Sequence, residues 1–246
     1  MKPTISIILP NYNSSKTLLK TVMSVINQTY KNWKLIIVDD NSDLKTKKIL
    51  SKLKSKKIKI FYLNINKGAG YCRNFALKKI KSQYIAFIDS DDLWGRNKLL
   101  EQINFMKKNN YNFTYTYYIT KNNNKEKKIY TPLTYNFNSF IKNTSIATST
   151  MIIKNFNNKN IRFTNSTSCD DYFFKCALLK NYKTAHCYPK FLTRYLIRSD
   201  SVQSNRLKNL YWVWKINNEL NNLNFIENFN SILQISFNSL KKYGLR

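Results

Sequence analysis

The chain has 246 residues, of which 43% are hydrophobic and 15% aromatic, so it can bury a substantial core and is not a disordered polypeptide. Its four glycines and four prolines exclude collagen-like and Gly/Pro-rich linker classes. The net charge of +29 leaves three readings open: a general abundance of lysine, affinity for a membrane surface or an anionic substrate, and affinity for nucleic acid.

The first 90 residues alternate between short β-branched runs and helical patterns. Strands are predicted at 5–9, 35–38, 58–63 and 84–88. Helices are predicted at about 15–28, over the lysine-rich stretch that contains Ile49 and Leu50, and at 68–80. This alternation predicts βαβ units and a mostly parallel sheet.

The pattern changes after residue 110. Strands are predicted at 113–119 and 148–153, with a polar stretch at 121–128 between them, and a helix at 170–179. The tail at 207–242 is predicted to be helical. Its apolar side chains favour packing against the core over a membrane-surface helix; they are Phe225, Phe229, Ile232, Leu233 and Leu240.

The cysteines and the single histidine give no sign of a zinc site. Cys72, Cys169, Cys176, Cys187 and His186 lack the close pairing that such sites need. The chain shows no signal peptide, and no apolar run approaches the ~18 residues needed to cross a bilayer. We therefore expect a cytoplasmic location, with peripheral contact at the inner face of an anionic membrane left open.

Acidic residues are scarce, so their clustering carries information. Seven of the thirteen lie in three clusters, Asp39-Asp40, Asp89-Asp91-Asp92 and Asp170-Asp171. The first two clusters follow predicted parallel strands, whose carboxyl ends bind ligands in open α/β sheets. Because neighbouring carboxylates repel each other, a divalent cation and a phosphorylated ligand would explain their clustering. Taken singly, each cluster also fits a turn or a helix N-terminus.

Several ordered blocks resemble glycosyltransferase family 2. The opening blocks are residues 6–13 (SIILPNYN), 28–30 (QTY) and 36–42 (IIVDDNS). Residues 66–74 (NKGAGYCRN) and 87–92 (FIDSDD) resemble the family's N-x-G-x-x-x-x-R-N and D-x-D blocks. The resemblance is strong from residue 4 to about 100 and patchier from 145 to 205.

The resemblance implies an α/β GT-A fold, with a Rossmann-like, mostly parallel central sheet flanked by helices and a helical C-terminal extension. It divides the chain into a glycosyltransferase domain at 1–205 and an extension at 206–246. Within the domain, residues 1–110 would be the nucleotide-sugar half and 111–205 the acceptor half. The implied reaction is an inverting transfer from a nucleotide-diphosphate sugar, most often a UDP-sugar.

The same resemblance assigns roles by position. The donor-nucleotide residues would be Pro10, Tyr12, Asn13, Asp39, Asp40, Lys67, Arg73, Asp89 and Ser90. Asp91 would bind Mn²⁺ or Mg²⁺, and residues 169–174 (CDDYFF) match the acidic pair that supplies the catalytic base, which makes Asp171 the base. Asp92, Asp170 and Arg198 are the supporting residues.

The chain also departs from the family. At 195–201 (YLIRSDS), Leu196 replaces an arginine and Arg198 a histidine that can bind metal, although Arg198 can still bind phosphate. Lys34 stands where the family often has glutamate, and there is no Q-x-x-R-W block, which argues against a processive synthase.

We therefore expect a non-processive glycosyltransferase that acts on a cell-surface glycan or a lipid-linked acceptor and does not bind nucleic acid. A basic nucleic-acid-binding module and a catalytically inactive relative are the alternatives. A sugar nucleotidyltransferase is disfavoured because no Gly-rich phosphate loop follows the first strand.

Overall fold

A computed structural model describes residues 4–122, 125–156, 161–164, 168–196 and 206–243. The strands in these ranges are β1 (Ile5–Asn11), β2 (Trp33–Asp39), β3 (Ile58–Tyr62), β4 (Tyr84–Phe87), β5 (Leu93–Trp94), β6 (Phe113–Asn122), β7 (Lys125–Ile129), β8 (Thr134–Tyr135), β9 (Ile152–Lys154) and β10 (Ala185–Leu196). The helices are α1 (Leu18–Ile26), α2 (Leu44–Lys52), α3 (Ala69–Leu77), α4 (Lys98–Lys108), α5 (Phe137–Phe140), α6 (Asp170–Tyr182), α7 (Arg206–Glu219) and α8 (Phe225–Tyr243).

The N-terminal half forms four adjacent parallel strands of one mixed sheet. Strands run in the order β3-β2-β1-β4, and each neighbouring pair is parallel, as predicted. Because side chains alternate along a strand, Ile5, Ile7 and Leu9 pack with α1 and α4 on one face, while Ile8 packs with α3 and α6 on the other. The sheet is therefore buried on both faces, as βαβ crossovers require.

The second half extends the same sheet through β9, β6 and β10. The strand predicted at 148–153 is wrong in its first half: Thr148–Thr150 form a 3₁₀ turn, and the strand covers only Ile152–Lys154. The turn is stabilised locally, since the Thr150 hydroxyl donates to the Ala147 carbonyl over 2.6 Å. The polar stretch at 121–128 includes the end of β6 and most of β7, which pair antiparallel.

The C-terminal tail is two helices, and most of the core-packing prediction for it is wrong. Phe225, Phe229 and Leu233 of α8 are 71%, 51% and 53% exposed. The helix instead buries Asn228 and Ser231. The reason is polar pairing: Asn217 of α7 donates to both of these side chains, over 3.1 and 3.0 Å.

Candidate active site

The first two acidic clusters meet at one edge of the sheet. Asn11, at the end of β1, lies opposite Asp39 at the end of β2, and Asp89 follows β4 on the other side of β1. Parallel strands in register bring their carboxyl ends to the same edge. The predicted donor-site residues of these strands are thus neighbours in space.

Asp39 and Asp40 are both buried and bond to different loops. The Asn11 amide and the Ser42 hydroxyl each donate to Asp39 Oδ1 over 2.6 Å. The backbone N–H groups of Lys67 and Gly68 each donate to Asp40 over 2.7 Å. Asp40 therefore joins the end of β2 to the start of α3.

The remaining predicted nucleotide residues line this edge with different exposure. Tyr12, Asn13 and Lys67 are exposed, whereas Pro10 is buried and Ser90 half-buried. The Asn13 side chain accepts from the Asp43 backbone N–H over 2.8 Å. The Lys67 ammonium lies 4.6 Å from the centre of the Tyr71 ring. The three exposed side chains remain accessible to a ligand.

Arg73 connects two of the acidic clusters. Its buried guanidinium contacts Asp89 over 2.6 Å and Asp170 over 2.8 Å. Burial lowers the pKa of Arg73, but the carboxylates of Asp89 and Asp170 raise it further than burial lowers it. The side chain stays cationic and offsets the repulsion between acids that lie far apart in the sequence. Sequence reasoning placed Arg73 near the nucleotide and did not foresee this bridge.

Asp171 is held by two donors that use the same oxygen. The Lys175 ammonium and the Thr148 hydroxyl each contact Asp171 Oδ2 over 2.6 Å. Burial raises the pKa of Asp171, but Lys175 and Thr148 outweigh it and lower that pKa to about 2. Neither donor bonds to Asp171 Oδ1 in the described structure. This second carboxylate oxygen is therefore available to another partner.

Asp170 has the opposite electrostatic balance. Burial raises its pKa, the Arg73 guanidinium opposes this, and the nearby carboxylates of Asp171 and Asp89 add to the increase. The resulting pKa is about 6. The acidic pair thus combines one carboxylate that is ionised at all physiological pH values with one that titrates near neutrality.

Asp91 and Asp92 have the oxygen chemistry that a hard divalent cation prefers. Asp91 is half-buried, and Asp92 is fully buried. Burial and the carboxylates of Asp89 and Asp91 raise the pKa of Asp92, and its Oδ2 has no hydrogen-bond partner in the described structure. No group of three or more His, Cys, Asp or Glu residues in the described ranges is arranged to hold a metal alone. These acids therefore suit a cation that takes further ligands from phosphate oxygens.

A cavity of about 600 Å³ opens beside the acids. Its wall includes Arg73, Asp89, Asp170 and Asp171, together with side chains of α7 and α8. The other predicted nucleotide residues lie outside this wall, and Arg198 falls outside the described residues. The cavity is thus bounded on one side by the acidic pair and on the other by the C-terminal helices.

Two residues that orient the acidic pair were missed from the sequence. Lys175 follows Asp171 by four positions on α6, a spacing that places both on one helix face and could have suggested the ion pair. Thr148 gives no comparable signal, because it approaches Asp171 only through the tertiary fold.

The cysteines form no disulfides, and the histidine packs against an aromatic ring. All four cysteines are free, and burial raises the pKa of each thiol. His186 stacks on Tyr111 with ring centres 3.5 Å apart.

A parallel sheet with carboxylates at its strand ends, beside a cavity closed by helices, has the GT-A architecture of sugar-transferring enzymes. Residues 6–191 match the model of glycosyl transferase family 2. The chain belongs to this family.

Similarity to known relatives extends over nearly the whole chain. It is 32% identical to the Bacillus subtilis putative teichuronic acid biosynthesis glycosyltransferase TuaG, covering 98% of each chain. It is 34% identical to the Escherichia coli UDP-Glc:alpha-D-GlcNAc-diphosphoundecaprenol beta-1,3-glucosyltransferase WfgD, covering 86% of this chain and 84% of WfgD. The structure of S. aureus TarS residues 1–349 in complex with UDP-GlcNAc matches with a TM-score of 0.75 at 19% identity, covering 97% of this chain and 73% of TarS.

In the ranges that the structure describes, no helix is both long enough and apolar enough to span a membrane.

Proposed function

We propose that this glycosyltransferase is non-processive and inverting, and that it moves a sugar from a UDP-sugar to a lipid-linked saccharide in one metal-assisted displacement. The observation that carries the proposal is the position of Asp171, which lines the cavity beside the acids at the strand ends. WfgD, named for a UDP-glucose donor and a diphosphoundecaprenol-linked acceptor, supports the choice of substrates. TarS supports a uridine nucleotide donor through its likeness in fold.

The donor would lie along the strand-end edge. Tyr12, Asn13 and Lys67 are exposed there and offer a ring, an amide and a cation to the nucleotide. Asp39, prepositioned by Asn11 and Ser42, would accept from the uracil ring. Asp89 would approach the ribose, and the ion pair with Arg73 would hold the Asp89 carboxylate in place.

Asp91, with Asp92 nearby, would hold Mn²⁺ or Mg²⁺ against the diphosphate. Bound there, the cation would neutralise the negative charge that develops on the leaving diphosphate. It would also offset the repulsion among the three carboxylates at this position.

Asp171 would accept the proton in the displacement. The acceptor hydroxyl oxygen forms a bond to the anomeric carbon, and the bond from that carbon to the diphosphate oxygen breaks. The diphosphate leaves with the electron pair, and the hydroxyl proton moves to Asp171 Oδ1. Attack opposite the leaving group inverts the anomeric configuration.

The low pKa of Asp171 limits when that proton moves. A carboxylate with a pKa of about 2 is a weak base towards an ordinary alcohol. The hydroxyl becomes strongly acidic once its oxygen bonds to the electron-poor anomeric carbon, so proton transfer follows bond formation. Lys175 and Thr148 would keep the base ionised and its orientation fixed.

The donor site is tested by calorimetric titration of UDP with and without Mn²⁺. Wild type should bind UDP more tightly with Mn²⁺, and Asp91→Ala should lose that gain. Glu126→Gln, which removes an exposed acid on β7 and should bind like wild type, is the matched control. Wild-type protein that ignored uridine nucleotides but bound random DNA, with affinity falling steeply as salt rises, would contradict the proposal.

The base is tested by Asp171→Asn. Transfer should fall by about 10²-fold or more, while UDP binding with Mn²⁺ stays near wild type. Retained transfer in Asp171→Asn would exclude Asp171 as the base. Nuclear magnetic resonance of the product's anomeric centre tests inversion independently.

A further inference from the structure

Helix α8 turns its apolar side chains away from the domain. At 41% to 78% exposure, these side chains share one stripe of the helix. We call this stripe the outer face of α8, formed by Phe225, Ile226, Phe229, Leu233, Phe237 and Leu240. Their spacing follows the helical period, which makes α8 amphipathic with its apolar side outward.

The opposite side of α8 docks on the domain mainly through polar groups. The Ser231 hydroxyl donates to the Ile141 carbonyl over 2.6 Å, and the Asn228 amide donates to the Trp214 carbonyl over 3.0 Å. Two isoleucines also pack against the core: Ile235 is buried and Ile232 is partly buried. The polar side of α8 thus packs against the domain, and its apolar stripe is in contact with water. Such a stripe is unusual on a soluble surface unless something covers it.

Aromatic side chains of α7 extend the outer face. The Trp214 and Phe225 rings lie 5.6 Å apart in an edge-to-face arrangement. Tyr211 is 59% exposed and Leu207 is 80% exposed. Tryptophan and tyrosine are favoured where apolar tails meet polar headgroups, because each ring has both an apolar body and a polar atom.

The positive charge of the chain favours one kind of partner for the outer face of α8. Residues 206–243 carry five cationic side chains against two acidic ones, and the whole chain carries +29. A second copy of the chain would bring the same charge, so the two copies would repel each other. An anionic lipid surface is attracted by the lysines while its acyl chains cover the apolar stripe.

The outer face is continuous with the cavity. Leu240 belongs to that face and also lines the cavity that holds Asp171, as does the exposed Leu207 on α7. A bilayer in contact with α8 would therefore lie at the mouth of the cavity.

We propose that the outer face of α8, together with Leu207 and Tyr211, docks on the surface of an anionic phospholipid bilayer. The helix lies in the plane of the headgroups and does not cross the bilayer. The benefit to catalysis rests on the proposed function, since docking brings a lipid-linked acceptor to Asp171. The docking itself involves no substrate and can be measured separately.

Vesicle flotation with the full chain tests this docking. The vesicles contain phosphatidylglycerol and phosphatidylcholine, and salt is raised to about 0.5 M to screen non-specific attraction to the basic protein. Ile226→Ser/Leu233→Ser should lower the partition coefficient by about tenfold, because two inserted aliphatic side chains are lost. Leu44→Ser/Leu133→Ser removes two similarly exposed leucines from other surfaces and should change it by less than about twofold.

Tryptophan emission gives a second readout. Trp33 and Trp94 are buried, so a blue shift on adding vesicles reports on Trp212 and Trp214 of α7. The shift should occur in wild type and be lost in the outer-face variant. Far-ultraviolet circular dichroism verifies the fold of that variant, and Ile226→Ser alone replaces it if the double variant is unstable. Flotation and emission use no nucleotide, so these measurements distinguish failed docking from a failed donor site.

Two outcomes would overturn the proposal. One is equal vesicle binding by wild type and the folded outer-face variant. The other is a wild-type dimer that ignores vesicles and becomes monomeric when the outer face is altered, which would make a second copy the partner.

Discussion

Replacing Lys175 by methionine isolates the ion pair that holds the predicted base. Methionine preserves most of the side-chain volume and removes the ammonium group that lies 2.6 Å from Asp171. Both side chains are largely buried, at 6% and 17% exposure. Asp171 would then keep the Thr148 hydroxyl as its remaining donor.

The cost can be worked out from the pKa of Asp171. Burial raises this pKa, but Lys175 and Thr148 lower it to about 2, below an ordinary aspartate value of about 3.9. At about 1.4 kcal/mol for each pKa unit, this shift stabilises the ionised folded state by about 2–3 kcal/mol. Because the folded pKa is depressed, that contribution is present above about pH 4 and is lost as pH falls through about 2. Removing Lys175 also leaves a buried charge without its partner, so we expect Lys175→Met to lose about 3–5 kcal/mol at pH 7.

Denaturant unfolding at several pH values measures this loss. Lys215→Met is the matched control, since Lys215 and Glu219 form an i,i+4 pair 3.9 Å apart whose side chains are 39% and 55% exposed. Exposed pairs of this kind contribute about 0–1 kcal/mol, so the control should unfold nearly as wild type. The deficit of Lys175→Met should shrink as pH falls, because protonation removes the unpaired charge on Asp171. Equal losses in the two variants, or a deficit that does not change with pH, would refute the reasoning.

Three further changes probe the same region. Gly70→Ala would place a Cβ atom 2.6 Å from the Thr164 carbonyl oxygen and should lower the free energy of unfolding by about 1–3 kcal/mol. Gly95→Ala is the control and should be tolerated, because its Cβ atom would lie 3.6 Å from the Leu192 carbonyl oxygen. Melting temperatures compare the two variants. Burial raises the pKa of Asp170 to about 6, so protonation of this carboxyl favours the folded state. The free energy of unfolding should therefore rise by up to about 3 kcal/mol as pH falls from 7 to 4. Denaturant unfolding at several pH values should show a flatter pH dependence for Asp170→Asn. Asp40→Asn should lose about 1.5–3 kcal/mol in denaturant unfolding, because the Lys67 and Gly68 N–H groups bond to different oxygens of Asp40 and asparagine replaces one of these oxygens with an NH2 donor.

The parallel half of the fold was predictable because its signals are local. Buried strands of β-branched residues and helices of regular apolar spacing identify themselves over a few residues. Strand β10 was not predicted, because its pattern is interrupted near Pro189 and its register with β6 shifts at two points. The turn at Thr148–Thr150 was mistaken for strand because threonine is common in strands, whereas here the Thr150 hydroxyl bonds to the nearby Ala147 carbonyl.

Three features of this protein were readable from its residues alone: its α/β class, its family resemblance, and the acids placed after parallel strands. Those features depend on the order of residues along a short stretch, which sequence displays directly. Three other features required the folded chain: Arg73 joins Asp89 to Asp170, Thr148 holds Asp171, and α8 turns its phenylalanines outward. These contacts join distant parts of the chain, and the direction of an amphipathic helix depends on what its neighbours can bury. Here Asn217 pairs with Asn228 and Ser231 while Ile232 and Ile235 pack against the core, so hydrogen bonding and limited apolar burial together set the orientation of α8.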